Sequence, residues 1–211
     1  APHVPRVDGT REGTGTTGFA VADGEGNMVA VTQTLGTWGG SFYVTPGLGF
    51  LYNDKLGSYR TDPDAYNARV PFARNRTSIS PTLVFEGTGE DRRPLLATGA
   101  GGNAWITSAV YQIVAGVVDR GLGPQEALEQ PRFLVGEAPV GGGEERPLVQ
   151  YEDAISPEVL QRLRTMGHRL QPVSLRGELR MGYAAAVKVT APGRVSAGGD
   201  PRRSGAGGAI P

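Results

Sequence analysis

A glycine followed by two threonines, Gly15-Thr16-Thr17, stands just before the most regular alternating segment of the chain. A threonine hydroxyl is a poor nucleophile unless a base lies beside it, and a cut before Thr16 would supply that base as the residue's own α-amine. Other nucleophile chemistry is scarce. The chain has no cysteine, which excludes disulfides, thiolate metal sites and cysteine nucleophiles, and its histidines are His3 and His168 alone. His168 follows Met166-Gly167 at a predicted helix end and is expected to be solvated or capping. Neither a G-x-S-x-G elbow nor an H-E-x-x-H pair occurs. No metal or cofactor is called for.

Two glycine patterns compete for a different chemistry. Residues 13–18 spell G-x-G-x-x-G but open a strand, where a dinucleotide fingerprint requires a helix. Gly99-Ala100-Gly101-Gly102-Asn103-Ala104 lies between a predicted strand and a predicted helix, so its amides could receive a phosphate or a developing oxyanion. No acid-bearing second parallel strand follows at the expected distance, which weakens nucleotide binding without removing it as a reading.

These residues need elements to hold them. The 211 residues suffice for one sizeable core, and 21 basic against 21 acidic residues leave no electrostatic footprint for nucleic acid. No apolar run reaches the length of a membrane span. With 33 glycines and 16 prolines, many short strands and turns with few helices are expected. Alternation over 17–23 and 28–35 predicts a hairpin, and 81–86 with 94–98 a second strand pair. Apolar residues at helical spacing from Trp105 to Val117 predict a core-facing helix over 103–119, closed by Gly121. A short helix over 124–129 follows. Ser156-Pro157 predicts a capped helix running to Met166, and 183–190 with 194–197 a closing hairpin about Pro192-Gly193. Gly141-Gly142-Gly143 marks an internal loop, with too few elements on either side for separate cores. The order suggests a layered α/β protein with largely antiparallel sheets.

Several ordered motifs resemble one family. TTGFAVAD at 16–23, GNMVAVTQTL at 26–35, PGLGFLYN at 46–53, SPTLV at 80–84, TGAGG at 98–102, ALEQPRF at 127–133 and AGGDPRR at 197–203 are similar to the catalytic small subunit of gamma-glutamyltransferases. The resemblance covers nearly everything from Thr16 onward. It implies an N-terminal-nucleophile hydrolase with a four-layer αββα sandwich, made as a precursor that cuts itself between Gly15 and Thr16. Residues 1–15 would then be a lead-in to the cleavage site and 16–211 the catalytic small-subunit region. It further implies that Thr34 supports the nucleophile, that Gly101 and Gly102 offer amides to the oxyanion, and that a large subunit from the same precursor completes the substrate site. The expected substrate is a small amide or peptide.

The chain departs from the family's pattern where substrate is held. A histidine commonly following the second threonine is Gly18 here, and the family's amine-binding asparagine, acid or amide, and aspartate stand as Gly36, Lys55 and Ser58. The paired serines that bind the substrate carboxylate correspond to Thr77-Ser78, which keep both hydroxyls. Lys55 would repel an ammonium group and suits a carboxylate, as in a dicarboxylic acyl amide such as a glutaryl amide, while γ-glutamyl hydrolysis or transfer, as of glutathione, stays open if other residues capture the amine. Two other readings stay open at this point: a noncatalytic binding protein on a degenerated scaffold, and a nucleotide-binding protein using residues 99–102.

Overall fold

The computed structural model describes residues 14–136, 147–173, 182–203 and 205–209. The Gly141-Gly142-Gly143 loop and His3 lie outside them. The described residues form two compact units, one of 14–15 and 34–75, the other of 16–33 and the residues from 76 onward.

Strands β1 (Thr14–Ala22) and β2 (Met28–Thr37) pair as the predicted hairpin. Its turn is organised by Asp23, whose carboxylate accepts from the amides of Glu25 at 3.0 Å and Asn27 at 2.9 Å and from the Asn27 side chain at 2.7 Å. The Asn27 side-chain hydrogen bond, seconded by backbone amides, holds the Asp23 carboxyl below its usual pKa.

In the larger unit a four-stranded antiparallel sheet runs in the order β3 (Thr82–Glu86), β4 (Arg93–Gly101), β8 (Tyr183–Ala191), β9 (Arg194–Gly199). Its β4 is buried from Leu95 to its end because both faces are covered. Helices α1 (Trp105–Val118) and α2 (Pro124–Glu129) cover one face, where Ile106, Ala109, Ile113 and Leu128 pack with Leu96, Ala100, Ala184 and Ala186. The other face meets the hairpin at backbone distance. A Cβ built on Gly18 would lie 2.6 Å from the Gly99 carbonyl oxygen, and one on Gly99 would lie 2.6 Å from that of Val31. Only glycine permits this approach.

A second sheet was not foreseen. It runs β5 (Phe133–Val135), β6 (Leu148–Glu152), β7 (Arg169–Val173), with β5 antiparallel and β7 parallel to β6. Helix α3 (Pro157–Thr165) is the crossover, capped by the Ser156 hydroxyl accepting from Val159 N–H at 3.3 Å. It ends as expected at Gly167, with φ of 84°, and the His168 amide donates to the Leu163 carbonyl at 3.0 Å. Pro172 sits in the edge strand β7, where a missing amide is tolerated.

Four buried charges tie these sheets together. Arg132 Nη2 lies 2.7 Å from Asp200 Oδ2, and its backbone amide donates to Glu152 Oε2 at 2.8 Å. Arg202 grips Glu152 at 2.5 Å and Asp200 at 3.1 Å. Desolvation pushes the Arg132 pKa down against the opposing charge of Asp200. Arg202 is also desolvated, but its bonds to Glu152 and the charge of Asp200 outweigh this and raise its pKa.

Among its described residues the smaller unit has little regular structure: the start of β1, the end of β2, a 3-10 turn Lys55–Ser58, and isolated bridges joining Val44 to Leu51 and Arg60 to Ala68. Trp38, Phe42, Tyr66 and Phe72 are exposed there.

Replacing Asp200 by alanine strands Arg132 in the core and deprives the Ala184 amide of its acceptor at 3.0 Å. The expected loss is about 3–5 kcal/mol, measured from urea-denaturation midpoints.

Candidate active site

In the smaller unit, pairing of the hairpin strands sets Thr34 beside Gly15. Its Oγ1 lies 3.4 Å from the carbonyl oxygens of both Gly15 and Gly36, and accepts from the Gly36 amide at 2.9 Å. One hydroxyl proton can serve one of these carbonyls at a time, so Thr34 can polarise the Gly15 carbonyl, the group a Thr16 nucleophile would attack. Glycine at 15 is enforced by packing, since a Cβ there would meet the Thr37 carbonyl oxygen at 2.6 Å.

Gly36 has φ of 105°, and the space its side chain would take is filled by the Asp54 carboxylate. That carboxylate accepts from the Thr37 hydroxyl at 2.5 Å and from the Thr37 amide at 3.2 and 3.3 Å. Lys55 opens the 3-10 turn with a half-buried side chain and no ion-pair partner among the described residues. Ser58 closes the same turn, donating to the Lys55 carbonyl at 2.6 Å. Its proton is therefore engaged locally.

In the larger unit Thr16 is 8% exposed, and its carbonyl accepts a hydrogen bond from the Tyr183 hydroxyl at 2.5 Å. Gly101 ends β4 and Gly102 turns the chain with φ of 126° into Asn103, φ 55°, after which the amides of Trp105 and Ile106 donate to the carbonyls of Gly102 and Asn103 to start α1. The positive end of the α1 dipole thus lies at this turn. Neither glycine can carry a Cβ: at 101 it would meet the Tyr183 ring at 2.5 Å, and at 102 the Gly182 α carbon at 2.5 Å. Ser78 is joined to the turn, its hydroxyl donating to the Asn103 carbonyl at 2.7 Å. Thr77 faces solvent and accepts from the Ile79 amide at 3.1 Å. Because β4 is antiparallel to both neighbours, residues 99–103 do not belong to a βαβ unit, and the dinucleotide reading loses its frame. No cluster suited to a metal ion occurs among the described residues.

The structure thus groups Thr34 with Gly15 and Gly36 in one unit, and Thr16 with Gly101 through Tyr183 in the other, where Ser78 also meets the glycine turn. Asp54 and Tyr183 escaped the sequence reading, since neither stands in a motif and each is recruited by contacts distant along the chain.

A sequence profile for Gamma-glutamyltranspeptidase matches residues 3–210. The chain belongs to the gamma-glutamyltranspeptidase family. Among curated relatives, a glutathione hydrolase proenzyme of Escherichia coli (strain K12) is 33% identical over 198 residues, covering 89% of this chain and 31% of the relative. An acylase proenzyme, ACY 1, of Pseudomonas sp. (strain V22) is 29% identical over 159 residues, covering 75% of this chain and 26% of the relative. The chain therefore spans less than a third of the length of either. Among solved structures, gamma-glutamyltranspeptidase from Pseudomonas nitroreducens complexed with L-DON superposes with a TM-score of 0.71 at 26% identity, covering 92% of this chain and all of that one. The mixed helix and sheet architecture is thus that of the gamma-glutamyltranspeptidase, N-terminal-nucleophile hydrolase fold. No helix among the described residues is long and apolar enough to cross a membrane.

Gly36→Asn would place a side chain in the space of the Asp54 carboxylate at a backbone angle that disfavours it. It should destabilise the chain by about 1–3 kcal/mol in chemical denaturation. Adding Asp54→Ala should recover part of that loss, because the overlap is removed while the backbone strain stays.

Proposed function

We propose that this chain is the catalytic region of a self-processing amide hydrolase and acyltransferase of the gamma-glutamyltranspeptidase family, with Thr16 as its nucleophile. The observation that carries the reading is the Thr34 hydroxyl 3.4 Å from the carbonyl oxygen of Gly15, the bond preceding Thr16. In processing, Thr16 Oγ1 adds to the Gly15 carbonyl carbon as its proton passes to the Thr16 nitrogen. The C–N bond breaks, leaving an ester, and water releases the Gly15 carboxylate, the hydroxyl and a free amine. In turnover that amine takes the proton from Oγ1 as the oxygen attacks the substrate carbonyl. The leaving amine departs protonated, and water or an acceptor amine then takes the acyl group from the ester. Gly101 and Gly102, at the positive end of α1, are suited to stabilise the oxyanion formed in each half-reaction. The lead-in and catalytic regions are accordingly divided at 15 and 16, and a large subunit from the same precursor is the expected partner.

The substrate is an amide of a γ-glutamyl or related dicarboxylic acyl group, and the described side chains favour the latter. Gly36 offers no side chain, Ser58 already donates within its own turn, and Lys55 brings a cation with no ion-pair partner among the described residues. An acyl group ending in a carboxylate, such as glutaryl, suits that cation better than an α-ammonium does. Thr77 and Ser78 are the alternative hydroxyl pair for that carboxylate, with Ser78 exchanging its bond to the Asn103 carbonyl on binding.

In the full-length precursor, intact mass should show a fragment beginning at Thr16, lost in Thr16→Ala. Persistence of the same fragment in that variant would overturn the nucleophile assignment. Against γ-glutamyl, glutaryl and succinyl p-nitroanilides, Lys55→Gln should lower kcat/KM for the glutaryl amide about tenfold while leaving the γ-glutamyl amide unchanged or improved. Turnover of the γ-glutamyl amide alone by the unaltered enzyme would rule out the dicarboxylic preference.

A further inference from the structure

Tyr183 stands opposite Gly101 across the β4–β8 ladder. A Cβ on Gly101 would lie 2.6 Å from the ring Cζ and 2.7 Å from the hydroxyl oxygen, so the phenol rests directly on the glycine α carbon. The Arg203 guanidinium lies over the ring, 4.4 Å from its centroid. The preceding residue is held too: the Gly182 carbonyl accepts from Arg132 Nη1 at 3.1 Å, and Gly182 packs on Gly102. With backbone and ring so confined, the hydroxyl is carried to the Thr16 carbonyl, to which it donates at 2.5 Å.

That bond matters most after cleavage. A residue that becomes a chain terminus loses the tether on its amino side, and terminal residues fray unless tied down. The Thr16 carbonyl is then the nearest backbone handle on the residue, and fixing it restricts the rotation that sets where the amine and Oγ1 point. We propose that Tyr183 is a positioning residue for Thr16, holding the carbonyl of the nucleophile while its ring rests on the Gly101 turn. The proposal builds on the assignment of Thr16 as nucleophile. It gives Gly101 a second role, since any side chain there would displace the phenol.

The test uses the full-length precursor with Tyr183→Phe, which keeps the ring between Gly101 and Arg203 and removes only the hydroxyl. Release of p-nitroaniline from γ-glutamyl and glutaryl p-nitroanilides is followed per processed molecule, from pH 5 to 10, beside Thr16→Ala and Tyr183→Leu. Expected for Tyr183→Phe is a three- to tenfold fall in kcat, roughly the worth of one hydrogen bond, with KM and the thermal midpoint nearly unchanged and the basic-amine limb of the pH profile displaced. Tyr183→Leu should lose more, having neither ring nor hydroxyl. Wild-type kcat and pH profile in Tyr183→Phe, with Thr16→Ala inactive, would overturn the positioning role and leave the nucleophile standing. Activity surviving in Thr16→Ala would overturn both. A loss in Tyr183→Phe confined to KM, or matched by a fall in thermal midpoint, would make the tyrosine a packing residue only.

Discussion

The buried ionic cluster of Arg132, Asp200, Arg202 and Glu152 is the interaction on which the larger unit depends. Beyond their mutual contacts, the two arginines donate to the carbonyls of Leu128, Gln130 and Gly182, and Asp200 accepts from the Ala184 amide. Those backbone groups belong to the end of α2, the approach to β5 and the start of β8. Each would be costly to bury unpaired, and each is met by a charged partner whose own desolvation is offset by an opposite charge at 2.5–3.1 Å. Two cations and two anions leave the cluster neutral. Its net worth against an apolar core is small, but it fixes one arrangement of the junction, and the segment carrying Tyr183 hangs from it.

Glycine does comparable work on the opposite face of the sheet. The high glycine content reads as a sign of turns, yet on that face Gly18 and Gly99 are demanded by space, as are Gly101 and Gly102 beside Tyr183 and Gly182 and, in the smaller unit, Gly15 beside Thr37. Each has a neighbouring backbone or ring atom within 2.6 Å of where a Cβ would stand. Sheets packed through ordinary side chains lie about 10 Å apart. Omitting the side chains lets the hairpin and β4 approach until main chain meets main chain, and this brings Thr32 close enough for its hydroxyl to donate to the Ala100 carbonyl at 3.2 Å. The glycines proposed for catalysis are thus also packing residues, and the spelling G-x-G, which invites a nucleotide, reflects that packing.

Elements whose signals are local were legible in sequence. The hairpin, α1, the capped α3 and the β8–β9 pair each carry periodicity, a cap or a turn within their own residues. The sheet β5–β6–β7 was not, because β5 has 3 residues, β7 includes Pro172, and the parallel pairing of β6 with β7 spans a helix. The candidate site divides the same way. Thr16, Thr34 and the glycine turn stand in motifs, whereas Tyr183 reads only as the first residue of an alternating strand. Its role follows from a contact with a residue 167 positions away, which no local pattern encodes.

The changed residues of the smaller unit are also better understood together than singly. Read position by position, Gly36, Lys55 and Ser58 look like three independent losses of polar contact. In the fold, Gly36 takes a left-handed backbone angle, Asp54 moves its carboxylate into the space this leaves and binds Thr37, and the turn that follows is closed by the Ser58 hydroxyl on the Lys55 carbonyl. Gly36 and the Asp54 carboxylate thus share one space, and the turn carrying Lys55 and Ser58 begins directly after Asp54. Such neighbours do not contribute additively. An asparagine reinstated at Gly36 alone would therefore meet space that the Asp54 carboxylate already fills.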